Sequence, residues 1–447
     1  MPRRIIGLDL GVASDHVAAI CDETGVVLAR RRCRPLRHSF EALEALALKD
    51  LPDEARLEVV IEPTGVSWLP VAVYFCRRGH TVFRVSTAKA HDMRKFLSPN
   101  AKSNGIDAMS LARIAIFDPE RLVPLELPGA DQARLDRRVR AADFLSDMVT
   151  DHKTRVRELA RQVMPTVAQV FTNKMGKADL AVLEQYGDPR AILALGQDKL
   201  TELIKAASNG YHGAQRAKAW LAAAAEAIEL YGEDPAVPYD DVAAELATEA
   251  RLLRLLDAEL RAHGAARERL YEKVDPAGLA RTLPGVGIVG GPLLISAMGR
   301  PGRFPNGSTF KSFTGLAPRS SGTGESVAKG MAMSKAGPRR LRTQLVLSAN
   351  IARRTDPQLA ALYWSQMVER GAHHQKAVSV VAARLAARAW AVLSRGEPYV
   401  LRDIDGREVT QAEAKAIIAE RYQVSDEVRA RRSTRMRQAR RAPQQVL

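Results

Sequence analysis

The period of apolar and polar positions changes several times over the first 120 residues, and each change marks an element. Residues 4–10 (RIIGLDL) are apolar but for Arg4 and Asp9 and predict a buried strand ending at Gly11. Residues 16–33 predict two further strands joined by a tight turn at Glu23-Thr24-Gly25. A helix over 40–48, a strand over 56–65, a helix over 68–79 closed by Gly79, a strand over 81–86 and a helix over 107–117 follow. A three-strand meander followed by β-α alternation predicts a mixed sheet covered by helices.

Beyond residue 130 the pattern turns helical. Leu135, Val139, Ala142, Leu145, Val149, Val156, Leu159 and Val163 recur at three-to-four spacing until Pro165. A second such run passes through Val242, Leu246, Leu253, Leu256 and Leu260. Two long helices bridged by short ones over 166–235 predict an antiparallel stalk, with a coiled coil as one form of it. From 276 the chain becomes Gly-rich, then helical over 283–299, loop-rich over 303–326, and helical again over 338–354 and 376–393. The expected parts are an α/β domain over 1–125, a helical stalk over 126–272, a mostly helical domain over 273–400 and a basic extension over 401–447. After Val428 the tail holds seven arginines and no acid, and is expected to be disordered until an anion binds it.

Composition narrows the function. Hydrophobic residues make up 46% of the 447 positions, enough for a sizeable core. A formal charge of +16 favours a polyanionic partner, nucleic acid first. Cys21, Cys33 and Cys76 make neither a disulfide framework nor a zinc-ligand pattern, which points to a reducing compartment. No apolar run reaches the roughly 18 residues of a membrane helix, and MPRRIIGLDLG lacks a signal core.

Two places suggest chemistry. Asp9 lies in an apolar strand, where a carboxylate is costly unless paired or bound to a cation. If strands one and four are neighbours, Asp9 meets Glu62 at one end of the sheet, and the helix opened by Asp107 crosses the same point. Such clustered carboxylates suit Mg²⁺, and two ions about 4 Å apart serve phosphodiester chemistry. GLDLG also resembles the phosphate strand of sugar kinases and actin-like ATPases. Those need a second Asp-x-Gly-Gly loop, and Asp405-Gly406 is too isolated to supply it. The second place is Pro318-Arg319-Ser320-Ser321-Gly322, amid Lys311, Arg319, Lys329, Lys335, Arg339, Arg340 and Arg342. A serine in such a cationic field is suited to attack a phosphodiester and hold it covalently. LPGVGIVGG (283–291) resembles a glycine hairpin that grips a nucleic-acid backbone, and His373-His374 reads as a surface or phosphate contact.

Together these segments resemble the transposases of the insertion sequence 110 family. The matching stretches are GLDLGVASDH (7–16), VVIEPTGVSW (59–68), AKSNGIDAMSLAR (101–113), LPGVGIVGG, FKSFTGLAPRSSGTGES (310–326), SKAGPRRLR (334–342) and HHQKAVSVVAARL (373–385). The resemblance implies an N-terminal RNase H-like (RuvC-like) sheet with a DEDD acid set, Mg²⁺, a serine nucleophile, and homo-oligomers (dimers or tetramers) that join target and donor DNA. It also implies a structured non-coding guide RNA and action on DNA in the bacterial cytoplasm. Asp9, Glu62 and Asp107 match the first, second and last acids, and Ser321 the nucleophile, with Ser320 the fallback. Asn104 stands where the third acid is expected, with Lys102 beside it as a nucleic-acid contact. The rival readings are a RuvC-like endonuclease on branched DNA and a non-catalytic nucleic-acid-binding assembly protein.

Overall fold

A computed structural model of the chain describes residues 3–171, 175–232, 234–319, 322–323, 326–327 and 331–441. The chain divides into two compact units, Met1–Gly129 and Ala130–Leu447.

The first unit is built on strands β1 (Arg4–Asp9), β2 (His16–Asp22), β3 (Val27–Cys33), β4 (Leu57–Ile61) and β5 (Thr81–Arg84). Their order is β3-β2-β1-β4-β5. β1 and β2, like β2 and β3, are antiparallel, whereas β4 runs parallel to both β1 and β5. This is the mixed sheet expected of an RNase H-like domain. Helices α1 (Arg37–Leu48), α2 (Trp68–Arg77), α3 (Thr87–Leu97) and α4 (Asn104–Phe117) complete the unit. α3 was not expected, because TAKAHDMRKFL has no clean three-to-four apolar repeat. It starts instead on a cap, with the Ser86 hydroxyl accepting from the Lys89 amide at 3.3 Å.

Alternation along β1 sends its residues to two cores. Ile6 and Leu8 pack with Phe40, Leu43, Val71 and Phe75, whereas Ile5 packs with Val60, Leu111, Ala112 and Ala115. The first core is locked by buried Glu44, which accepts from the Tyr74 hydroxyl at 2.6 Å, Arg78 at 2.7 Å and His80 Nε2 at 2.8 Å. His80 Nδ1 in turn accepts from the Leu57 amide at 3.2 Å, which fixes Nε2 as the donor.

The second core depends on Gly7. A Cβ at this position would overlap the Ala108 carbonyl oxygen and the Ala112 amide nitrogen of α4. Gly7→Ala is therefore expected to destabilise the protein by ~3 kcal/mol, because it must push helix backbone rather than a side chain. Thermal unfolding checks this.

The second unit opens with α5 (Ala130–Val163) and continues through α6 (Ala168–Phe171), α7 (Lys177–Gln185), α8 (Pro189–Ala207) and α9 (Ala214–Tyr231) to α10 (Tyr239–Val274). α5 and α10 are antiparallel: Arg138 reaches His263 at 3.3 Å, His152 meets Glu249 at 2.5 Å, and Arg155 meets Glu245 at 2.6 Å. One end of the pair belongs to a core of Val156, Val163, Ile192, Leu200, Trp220 and Leu246, and the other to a core of Leu135, Val139 and Tyr271. That latter core gathers α11 (Leu279–Thr282), α12 (Gly290–Met298), α13 (Gly307–Phe313), α14 (Arg339–Ala352), α15 (Pro357–Met367) and α16 (His374–Arg395). α17 (Gln411–Arg421) and α18 (Asp426–Arg441) follow.

Three expectations change here. α13 lies in the stretch read as loop, started by an Asn306 cap that three residues of polar sequence concealed. The tail read as disordered is helical through Arg441, because Asp426 and Glu427 offset the amide end of α18 and Val428 packs on the core. Finally, α16 is long and apolar enough to cross a membrane, although no run was expected to be. Its apolar face is core: Ala377, Val381, Leu385 and Ala389 are all 0% exposed.

Candidate active site

β1 and β4 lie side by side with Leu8 opposite Ile61, so Asp9 and Glu62 leave the sheet at the same level. Ile5 and Val60 face α4, and a period of two from each carries Gly7, Asp9 and Glu62 to that same side. α4 runs back along β1. The Arg3 guanidinium donates to the Ala115 carbonyl at 3.3 Å near one end, and Gly7 abuts Ala108 and Ala112. The first turn of α4 therefore comes to the Asp9 end of the strand. Ser103 caps that turn by accepting from the Ile106 amide at 3.3 Å, and Asp107 sits within it.

The acids feel one another. Burial, then Asp107, then Glu62 push the Asp9 carboxyl up to about 6, and Lys102 opposes them. No hydrogen bond or ion pair reaches the Asp9 carboxylate among the described residues. Asp107 is held by Arg94 of α3 at 3.3 Å, with both side chains largely covered. Among the described residues no three His, Cys, Asp or Glu side chains form a ready-made cage for an ion. The expected convergence on one point is thus looser than a preformed site. A hard divalent cation still fits the chemistry of this donor set. Mg²⁺ keeps several waters and needs only one or two protein carboxylates when substrate phosphate supplies the rest. An unpartnered, repelled carboxylate such as Asp9 gains most from a cation.

The second candidate centre lies in the other unit. Ser320, Ser321 and Lys329 fall outside the described residues. The backbone on either side forms a hairpin arm. Its rungs run from the Lys335 amide to Gly315 O (3.1 Å), Ser334 to Ala317 (2.9 Å) and Arg319 to Ala332 (2.9 Å). They continue to the Gly322–Val327 and Thr323–Ser326 pairs. Gly315, at φ +74°, lets the arm turn close against the Ala336 carbonyl. Arg342 staples this base, donating to the carbonyls of Lys335 (3.0 Å), Ala336 (3.4 Å) and Thr314 (3.4 Å). Arg340 pairs with Asp147 and donates to the Asp143 carbonyl. Arg319, Lys335 and Arg339 are exposed, and Lys311 is half-buried.

Comparison with known families decides the identity. The model of DEDD transposases of the IS110 type matches residues 6–165, and that of the IS116/IS110/IS902 transposase family matches residues 277–364. The chain belongs to the IS110 family of transposases. Among its relatives are an uncharacterised 43.6 kDa protein of insertion element IS110 in Streptomyces coelicolor and an uncharacterised 42 kDa protein of IS900 in Mycobacterium paratuberculosis. The first is 26% identical over 89% of this chain and 95% of its own length. The second is 23% identical over 87% and 94%.

In this IS110 transposase the first match spans Asp9, Glu62, Asn104 and Asp107, and the second spans the hairpin arm with Ser320 and Ser321. The enzyme acts on DNA in transposition, and its DEDD type goes with a divalent metal. Asn104 opens α4 and is exposed, one helical turn from Asp107 and so on the same side of the helix. Two residues beside the acids escaped the sequence reading. Arg94 lay in the unrecognised helix α3. Buried His16 holds the loop that follows Asp9, its Nδ1 accepting from the Gly11 amide at 3.1 Å. A histidine five residues after a strand-end glycine is the only signal the sequence offers for it.

Proposed function

We propose that this IS110 transposase cuts and rejoins DNA through a serine–phosphate ester, using Mg²⁺ and a structured non-coding guide RNA. What supports the reading is the unpartnered Asp9 carboxylate at the end of β1, beside the parallel strand β4, with Asp107 and Glu62 both resisting its ionisation. Asp9, Glu62 and Asp107 would hold the ions. When bound, Mg²⁺ supplies Lewis-acid stabilisation of charge on the phosphate oxygens.

The Ser321 oxygen attacks phosphorus and its proton passes to solvent. The P–O bond to the 3′ oxygen breaks, that oxygen takes up a proton, and the 5′ phosphate stays on serine. The 3′ hydroxyl of the exchanged strand then attacks the ester and frees the serine. One phosphoester replaces another at each step, so no nucleotide cofactor is consumed. A nuclease using water alone would need no serine. Lys102, Lys311, Arg319, Lys329, Lys335 and Arg339 are proposed backbone contacts. Arg340 and Arg342, already engaged within the fold, are proposed to shape the arm. The +16 charge suits an assembly of several copies on RNA and two duplexes.

The test is to incubate the protein with the transcript of DNA flanking its reading frame, Mg²⁺ and end-labelled target DNA. A denaturation-resistant protein–DNA adduct that disappears with chelator is expected. Free ends without an adduct would favour the hydrolytic nuclease.

Asn104 offers a graded check. Asn104→Asp adds a fourth charge to the acid set and is expected to raise Mg²⁺-dependent cleavage by about tenfold at limiting metal, the scale on which one ligand-shell partner acts. Unchanged or lower activity across a Mg²⁺ titration would remove Asn104 from the metal site.

A further inference from the structure

Neither half of the proposed chemistry uses the C-terminal helix. α18 starts on Ser425, whose hydroxyl accepts from the Val428 amide at 3.3 Å. Its base is docked. Val424 is buried, Val428 packs on the C-terminal core, and Arg432 Nε donates to the Met367 carbonyl at 3.3 Å. From 429 to 441 the sequence then holds seven arginines and no acid. Like charges three and four residues apart work against an isolated helix. Successive arginines are separated by 2, 1, 3, 2, 3 and 1 positions, so no stripe is left for a protein core to cover.

The base of α18 meets a second cationic group. Arg353 and Arg354 close α14, and neither has an ion-pair partner among the described residues. The Arg353 guanidinium lies 4.4 Å over the Tyr363 ring, whose hydroxyl meets His374 Nδ1 at 2.7 Å. Burial first, and then the charges of Arg353, Arg429 and Arg354, hold His374 below the usual histidine range. Arg354, His374, Arg429 and Arg431 are exposed.

We propose that α18, with Arg353, Arg354 and His374 at its base, binds the phosphate backbone of duplex DNA without regard to sequence. A helix rich in arginine at irregular spacing suits a groove walled by phosphate on both sides. The major groove of B-DNA, about 12 Å wide, admits a helix. The deep, narrow groove of A-form RNA does not. α18 and His374 lie beyond residue 364 and so outside both family matches, whereas Arg353 and Arg354 fall within the second. The proposal rests on the action of the enzyme on DNA, not on the serine or on Mg²⁺.

The experiment compares the full chain with Arg435→Gln/Arg437→Gln/Arg440→Gln/Arg441→Gln, titrating a fluorescent duplex of scrambled sequence and an RNA hairpin of similar size. Chelator is present throughout, so cleavage plays no part. Loss of four phosphate contacts is expected to lower the slope of log K against log salt by about 3 to 4 for the duplex. A stop after Arg432 removes the same arginines without altering any retained side chain, and the same loss is expected. The four-lysine version should keep the slope. A duplex slope that does not move in either variant overturns the proposal, as does a change confined to the RNA hairpin.

Discussion

Asp9→Asn is expected to abolish strand cleavage, by about a thousandfold or more, in a protein at least as stable to heat as its parent. The loss of activity should exceed the 10–100-fold typical of removing an outer-shell partner, because Asp9 is proposed to touch the ion itself. The stability follows from the surroundings of the residue. Burial, Asp107 and Glu62 all resist its ionisation and raise it from the ordinary 3.8 to about 6. In chelator, between those two values, the folded chain keeps a proton that the unfolded chain has released. Folded-state stability therefore falls as pH rises through this window, and above about 6 the half-buried charge burdens the fold in full. Asn removes that burden while keeping the shape. The melting advantage of the variant over the parent should grow from pH 4 to pH 7 and then level off. A drop in melting temperature at neutral pH would make Asp9 a structural residue and sink its proposed role.

The second large effect is expected at the hairpin arm. Ser321→Ala should eliminate the protein–DNA adduct while RNA and DNA binding persist, because a methyl group has no oxygen to attack phosphorus. Retained cleavage without an adduct would transfer the reaction to water. An adduct that survives Ser321→Ala and disappears only in Ser320→Ala would move the nucleophile by one residue. Asp9→Asn and Ser321→Ala are expected to behave alike in an adduct assay and differently in metal dependence, since Ser321→Ala leaves the acid set complete.

The strand order could be read because apolar alternation and the Glu23-Thr24-Gly25 turn leave few ways to pair β1, β2 and β3. The β-α alternation allowed β1 and β4 to be neighbours, and the structure pairs them in parallel. Asp9 and Glu62 came with it, since strand ends are where carboxylates interrupt apolar runs. The partners of these acids were less readable. Arg94 reaches Asp107 from a helix whose sequence carries no apolar stripe, and its start depends on the Ser86 cap. Arg342 looked like a phosphate ligand because its charge is visible in the sequence, whereas the three carbonyls that claim it are brought together only by the turn at Gly315. The helical tail was missed because charge density says nothing about Val424 and Val428, which dock its first turn.

The antiparallel course of α5 and α10 returns the chain to where it set out. The bundle at the far end, held by Trp220, Ile192 and Val163, is a closed excursion. Whole helical turns can be gained or lost in matched pairs along the two long helices without disturbing the residues near Leu135 and Tyr271. The appendage is thus built as a cassette whose length is independent of the core that Leu135 and Tyr271 share.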